Sequence, residues 1–122
     1  MGTKGYIVIK FNNRYYKIYN HFDSYPSNLG VIVIDFIKKL KENGELEQSE
    51  ECFNTIMDFC KKIDNEKVNE GDAELDVFIQ WIYKIDMDLM LLIIKNYRIN
   101  KVYNIHYISD NWLDEFISIL NN

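Results

Sequence analysis

Residues Gly5 to Tyr19 read GYIVIKFNNRYYKIY, and this stretch decides the fold. Both halves are rich in β-branched and aromatic residues, which favour strands, and both alternate between two faces. Asn12 and Asn13 separate the halves, and asparagine tolerates the positive φ angles of a tight hairpin turn. The stretch therefore predicts a β-hairpin with strands at Gly5–Phe11 and Arg14–Tyr19.

Two helices are predicted after this hairpin. Across residues 29–40 the apolar residues recur at helical spacing, lysines close the run and Gly44 follows as a C-cap. The Val-Ile-Val-Ile opening at residues 31–34 also suits a buried strand, but the apolar face and the ending favour a helix. Residues 49–63 predict a second helix, with Ser49 as its N-cap, glutamates in the first turn and lysines in the last.

The second half of the chain leaves one alternative open. Residues 64–76 are polar and acidic and indicate a surface loop. Residues 77–95 suit either one helix or two strands, and their density of β-branched and aromatic residues favours two strands with a turn at Asp86-Met87-Asp88. A further strand is predicted at residues 102–108. Ser109 or Asp110 is expected to cap a last helix, whose inward side chains would be Trp112, Leu113, Phe116, Ile117 and Leu120.

The predicted element order is ββααβββα. Strands come in local hairpins and the helices are grouped, so the expected fold class is α+β, with an antiparallel sheet of about five strands and two or three helices packed on one face. The chain of 122 residues fits a single globular domain, 1–122.

The charge of the chain bears on its partners. The formal net charge is −5, and an acidic chain repels phosphate backbones and anionic membranes, so we expect neither nucleic acid nor membrane as a partner. A local basic patch would override this expectation. The dense basic stretch is Lys38, Lys39 and Lys41, which is typical of the solvated end of a helix.

The cysteines and histidines bear on compartment and chemistry. Cys52 and Cys60 are eight positions apart in a predicted helix, too far for a disulfide within it. Two free thiols favour a reducing, cytoplasmic compartment. His21 and His106 are far apart in sequence, and no zinc-binding spacing is present, so we expect no metal site and no cofactor. The richness in Ile, Asn, Lys and Tyr is typical of AT-rich genomes, including those of some large DNA viruses.

One segment concentrates chemically active side chains, namely Tyr19 to Gly30. Its catalytic candidates are His21 and Asp23, because a carboxylate two residues from a histidine in an extended chain can orient it as a general base. Its binding candidates are Asn20, Ser24 and Tyr25. The same residue types also cap turns and stitch loops, so a purely structural role competes with the functional one.

Thr3 is a third catalytic candidate. A threonine hydroxyl near the N-terminus can serve as a nucleophile activated by its own α-amine, which would require removal of Met1 and Gly2. In a milder version Thr3 stays internal and its hydroxyl faces His21 from the neighbouring strand.

The Met1-to-Gly5 start and the Tyr19-to-Gly30 segment also carry a resemblance. They resemble a functionally uncharacterised family of short proteins from large DNA viruses, phages, bacteria and fungi, which open with Met-Gly-Thr-Arg-Gly and contain Tyr-Asn-His-(aromatic)-Asp-Ser-Tyr-Pro. Lys4 stands where the family has Arg. The resemblance covers about the first thirty residues, with a weaker match at residues 81–86, and it implies no established activity.

Two functions from different classes remain. The first is a non-enzymatic interaction module, acting on a protein partner such as a host component or self-associating, in the cytoplasm or in a virion. The second is a small hydrolase or transferase that binds a small molecule at a site around His21, Asp23 and Thr3. The sequence leaves open whether the protein is an enzyme.

Overall fold

The computed structural model describes residues 4–20, 23–63, the backbone of 69–70, and 81–121. The strands are β1 (Gly5–Phe11), β2 (Arg14–Asn20), the two-residue β3 (Asn69–Glu70), β4 (Trp81–Asp86), β5 (Leu91–Lys95) and β6 (Asn100–Asn104). The helices are α1 (Val31–Glu42), α2 (Glu50–Ile63) and α3 (Trp112–Leu120), and a π-helical turn, Pro26–Gly30, leads directly into α1.

The strands form one mixed sheet in the order β3-β2-β1-β4-β5-β6. The α+β class is confirmed, and so is the order ββααβββα once the two-residue β3 is set aside. The expectation of an entirely antiparallel sheet needs correction at one pair, because β1 and β4 are parallel, with Gly5 opposite Trp81. Parallel neighbours need a long crossover connection rather than a hairpin, and the chain between β2 and β4 provides one that contains α1 and α2.

The β1–β2 hairpin is confirmed, and a distant aspartate secures its turn. Asn12 and Asn13 both have positive φ angles, 52° and 62°, as a two-residue hairpin turn requires. The carboxylate of Asp88 accepts hydrogen bonds from the backbone N–H groups of Asn12 at 2.7 Å and Asn13 at 2.9 Å. The β4–β5 turn is thereby tied to the hairpin tip.

The first two helices follow their predicted boundaries closely. Residues 31–34 are helical, so the alternative of a strand there is wrong. Ser49 caps α2 as expected, since its Oγ accepts a hydrogen bond from the N–H of Cys52 at 3.1 Å. Cys52 and Cys60 are both buried free thiols.

The later elements agree with prediction in type and differ at their ends. Within residues 81–95 the two strands β4 and β5 are confirmed, whereas 77–80 lie outside the described residues. The loop predicted at 64–76 lies almost wholly outside them too, and the two-residue β3 interrupts it. The strand predicted at 102–108 is β6, which starts at Asn100 and ends at Asn104.

The last helix differs from prediction at its cap and on one face. Neither Ser109 nor Asp110 caps α3; Asn111 holds that position without a side-chain hydrogen bond. Ile117, expected to point inward, is 40% exposed. The helix buries Trp112 and Phe116, and Leu113 and Leu120 pack against the core while staying partly exposed.

All three helices pack on one face of the sheet, as predicted. Alternate strand residues Ile9, Ile18, Tyr83 and Ile94 belong to one buried cluster together with residues of α1, α2 and α3. Aromatic contacts join the sheet to the helices: Phe11 stacks on Phe53 of α2, and Trp81 lies against Phe116 of α3. None of the described helices is long and apolar enough to cross a bilayer.

Candidate functional site

The segment that follows β2 begins with a buried pair of polar side chains. Asn20, the last residue of β2, is 7% exposed, and Ser24 is fully buried. The side-chain amide of Asn20 donates to Ser24 Oγ at 2.8 Å, and Ser24 Oγ lies 3.5 Å from the Asn20 carbonyl oxygen to which it donates. These bonds hold both ends of the connection together, and the hydroxyl of Ser24 is closed to solvent.

Two further contacts fix Ser24 from the sheet. The hydroxyl of Tyr83 on β4 donates a hydrogen bond to the Ser24 carbonyl oxygen, and burial raises the pKa of Tyr83 above its ordinary value. Gly5 faces the same residue from β1, where an added Cβ would lie 2.6 Å from the Cβ of Ser24. Gly5 is therefore required for close packing between the sheet and this connection.

Of the exposed members of the segment, Asp23, Ser27 and Asn28 line a shallow groove, and Tyr25 lies outside it. Asp23 is exposed and has a φ of 44°, and Tyr25 is 49% exposed. Asn20, Asp23 and Asn28 line part of an open concavity of about 540 Å³, whose remaining wall is formed by Ser27, Leu29, Val31, Ile32 and Ile63. Of the predicted catalytic candidates, His21 and Thr3 lie outside the described residues, so their geometry relative to Asp23 stays a prediction.

His106 lies in a turn after β6, although the sequence predicted a strand over residues 102–108. Its carbonyl oxygen accepts a hydrogen bond from Lys41 Nζ, while Lys38 Nζ pairs with Asp110 Oδ1 at 2.7 Å. The bond and charge of Lys38 lower the pKa of the Asp110 carboxyl. Two of the three lysines in the dense basic stretch thus tie α1 to the chain around His106.

A second candidate surface is the face of the sheet on which none of the described helices packs. The strand register places Tyr6, Val8 and Lys10 of β1 on that face, opposite Tyr19, Lys17 and Tyr15 of β2. On the other side of β1, the same three residues pair with Ile82, Lys84 and Asp86 of β4. Ile93 and Lys95 of β5 extend the face towards β6. We call this surface the free face only because none of the described helices covers it; Val8 and Asp86 on it are 2% and 3% exposed, so the face is not open to solvent throughout.

Lysines and tyrosines interleave on the free face. Lys10 Nζ lies 5.7 Å and Lys84 Nζ 5.1 Å from the centroid of the Tyr15 ring, so two ammonium groups share one ring. Lys17 Nζ lies 5.3 Å from the Tyr6 ring centroid. All five of these side chains are partly exposed. Such cation–π contacts hold the rings and the charges in one layer.

Among the described residues, the free face has more lysines than carboxylates. Four lysines, namely Lys10, Lys17, Lys84 and Lys95, share it with a single described carboxylate, that of Asp86. That carboxylate lies 4.0 Å from Lys10 Nζ, and it also accepts the backbone N–H groups of Asp88 and Leu89.

Sequence reasoning missed the free face because its lysines are scattered along the chain. The signal was present: in β1, β2 and β4 a lysine occupies the face opposite to the buried isoleucines. What the sequence did not show is that β4 pairs with β1, which brings Lys84 beside Val8 and so close to Lys17.

Metal and family comparisons add no assignment. Among the described residues no group of three or more His, Cys, Asp or Glu side chains could hold a metal ion. No family model matches the chain, and searches of curated proteins and of solved structures find no match. The resemblance described above stays a prediction.

Proposed function

We propose that this protein is a non-enzymatic interaction module that binds an anionic partner through the free face. The observation that carries the proposal is the cluster of Lys10, Lys17 and Lys84 around Tyr6 and Tyr15. The three ammonium groups lie 5.1 to 5.7 Å from the two ring centroids, so charges and rings form one patch. Tyrosine and cationic side chains are enriched in binding surfaces because they offer contact area and directed charge together.

The partner is proposed to be a macromolecule. A protein partner with an acidic surface would meet the charge of the free face, and so would a second copy of this acidic chain. The buried free thiols Cys52 and Cys60 support our proposal that the protein works in a reducing compartment, such as the cytoplasm.

Retention on a polyanionic resin tests the proposal. An acidic protein should flow through heparin–agarose at low salt unless a local basic surface holds it. We expect the wild type to be retained and the double variant Lys10→Ala/Lys17→Ala to flow through. The matched control is Lys61→Ala/Lys62→Ala, which removes the same charge from the exposed last turn of α2 and should be retained.

Two results would contradict the proposal. If the wild type flows through, the free face does not act as an anion-binding surface. If both double variants elute together with the wild type, binding occurs elsewhere. Far-ultraviolet circular dichroism of each variant checks that the fold is unchanged.

A second candidate function is a small hydrolase or transferase acting on a small molecule near His21, Asp23 and Thr3. The groove lined by Asn20 and Asp23 favours it, because ligand sites are concave. His21→Ala would then abolish turnover of small ester or phosphoester substrates with no loss of stability. A loss of about 2 kcal/mol or more in the free energy of unfolding would instead assign His21 a structural role.

A further inference from the structure

We infer that two copies of this chain associate edge to edge through β6, so that their sheets join across a two-fold axis at Val102. This interface lies along an edge of the sheet, so the inference goes beyond the function proposed above and does not depend on it. β6 (Asn100–Asn104) ends the sheet order on one side, and none of the described strands pairs with its outer side. An edge strand of this kind is a template for pairing with a further strand.

The first argument is the direction of the backbone groups of β6. Backbone hydrogen bonds join β5 to β6 at both ends of the pair, from the Ile105 N–H to the Met90 carbonyl oxygen at 3.1 Å and from the Asn96 N–H to that of Ile99 at 2.9 Å. Hydrogen-bonded pairs alternate along an antiparallel ladder, so every second residue of β6 directs its N–H and C=O groups away from β5. In this register the outward-directed residues are Asn100, Val102 and Asn104, and all three are exposed.

The second argument is a symmetry in the sequence around Val102. Residues 97–107 read YRINKVYNIHY. Like residues stand at equal distances on the two sides of Val102, namely Asn100 and Asn104, Ile99 and Ile105, Arg98 and His106, and Tyr97 and Tyr107. An antiparallel pair of β6 strands with its two-fold axis at Val102 places each of these residues opposite its counterpart in the second copy. The symmetry of the sequence therefore matches the symmetry of a closed dimer.

Lys101 and Tyr103 are the unlike pair in this stretch, and their difference favours the same register. With the axis at Val102, Lys101 lies opposite Tyr103 of the second copy. An axis at Lys101 would instead set two lysines directly opposite each other, which is unfavourable. Within one chain Lys101 Nζ already lies 5.6 Å from the centroid of the Tyr103 ring, so the proposed register brings together side-chain types that attract each other.

The third argument is the character of the side chains along this edge. Val102 is 48% exposed, and Tyr97 and Tyr107, which flank β6, are 91% and 79% exposed. Aromatic side chains are enriched in protein interfaces, and the proposed register sets Tyr97 level with Tyr107 of the second copy. Residues 96–109 contain no aspartate or glutamate, although the chain has 19. The facing strands of two acidic copies therefore add no repulsion between carboxylates of their own.

The experiment is sedimentation velocity over a range of about 1 to 500 μM protein, because the dimer fraction of a self-associating chain rises with concentration. We expect the wild type to pass from monomer to dimer within this range, since a pair of five-residue strands is a small interface. Val102→Lys sets two lysines opposite each other at the axis and should weaken the dimer at least tenfold. The matched control is Ile32→Lys on α1, at a side chain that is 46% exposed, and this variant should dimerise like the wild type.

Mixing two variants tests the position of the axis. Val102→Glu alone should also weaken the dimer, because two carboxylates then meet at the axis. An equimolar mixture of Val102→Lys and Val102→Glu should dimerise again, since the axis then joins opposite charges. Only a residue that lies opposite itself gives this pattern.

Amide hydrogen exchange gives a readout in the wild type that needs no substitution. The outward-directed N–H of Val102 should exchange at least tenfold more slowly in concentrated than in dilute protein, because the dimer bonds it to the second copy. The N–H of Lys101, which the ladder directs towards β5, should change less.

Several results would overturn the inference. One is a wild type that stays monomeric up to about 500 μM. Others are a Val102→Lys variant that dimerises like the wild type, an Ile32→Lys variant that loses the dimer equally, and a mixture that stays monomeric while both variants keep the wild-type circular dichroism spectrum. If the variants do not fold, an exchange rate of the Val102 N–H that is independent of concentration overturns it. The heparin assay depends on Lys10 and Lys17, on other strands, so either proposal can fail without the other.

Discussion

The two faces of the sheet are built by the same strands and differ in almost every property. On the helix-covered face, Ile9, Ile18 and Ile94 are at most 1% exposed and pack beneath three helices. On the free face, the intervening positions carry Lys10 and Lys17, which are partly exposed. Because side chains alternate along a strand, one set of residues could be selected for folding and the other for a surface role.

The Ser24 segment and the free face differ in how their polar residues come together. The segment around Ser24, rich in chemically active residue types, contributes hydrogen bonds to the helix-covered side through Tyr83 and Asn20. The free face has ordinary residue types, and its character arises from their arrangement in space. Polar residues that are close together in sequence therefore need not form a surface, and residues far apart in sequence can form one.

Two adjacent isoleucines in β5 should show the largest difference in stability between the two faces of the sheet. Ile94 is fully buried on the helix-covered face, so Ile94→Ala should lower the free energy of unfolding by about 2 to 5 kcal/mol. Its neighbour Ile93 is partly exposed on the free face, and Ile93→Ala should cost about 1 kcal/mol or less. Urea denaturation measures both, and equal losses would show that the two faces are equally buried.

Removing one hydroxyl from the helix-covered face tests the anchoring of the Ser24 connection. Tyr83→Phe leaves the Ser24 carbonyl oxygen without the donor that the structure gives it, which should cost about 1 to 3 kcal/mol. Tyr107→Phe is the matched control, because this ring is 79% exposed, and its cost should be near zero. A neutral Tyr83→Phe would mean that the connection is held by packing alone.

The buried thiol of Cys60 gives a prediction in pH. Burial raises the pKa of Cys60 to about 12, so the folded state favours the protonated thiol. Its contribution to stability is complete below the ordinary thiol pKa and is lost as pH rises from about 9 towards 12. At pH 8, reaction with a disulfide reagent should be roughly a thousandfold slower than in the urea-unfolded chain. Comparable rates would contradict the burial.

Local pattern predicted a large part of the fold. The hairpin, its Asn12-Asn13 turn and the Ser49 cap were readable because each depends on residues close together in sequence. The pairing of strands across the crossover was not readable in this way. The parallel register of β1 with β4 places Lys10 opposite Asp86, which is 76 positions away in sequence. The same long-range pairing creates the free face, so the surface could not be predicted without it.

The early segment shows the opposite difficulty. Its residue types were predicted as candidates for binding and catalysis, and the structure places Ser24 inside and Asp23 outside. The burial of Ser24 depends on Gly5 and Tyr83, which approach it from two other strands. Alternation alone could not separate these two neighbours, because residues 23–25 lie in an irregular connection and not in a strand.

The most direct test of the central claim is a map of backbone amide shifts in ¹⁵N-labelled protein titrated with a heparin oligosaccharide at low salt. We predict that the perturbed amides concentrate in β1, β2 and β4, around Lys10, Tyr15, Lys17 and Lys84, while those of α1, α2 and α3 stay in place. Perturbations confined to residues 23–32 would move the site to the groove beside Asp23. That result would contradict a binding role for the free face.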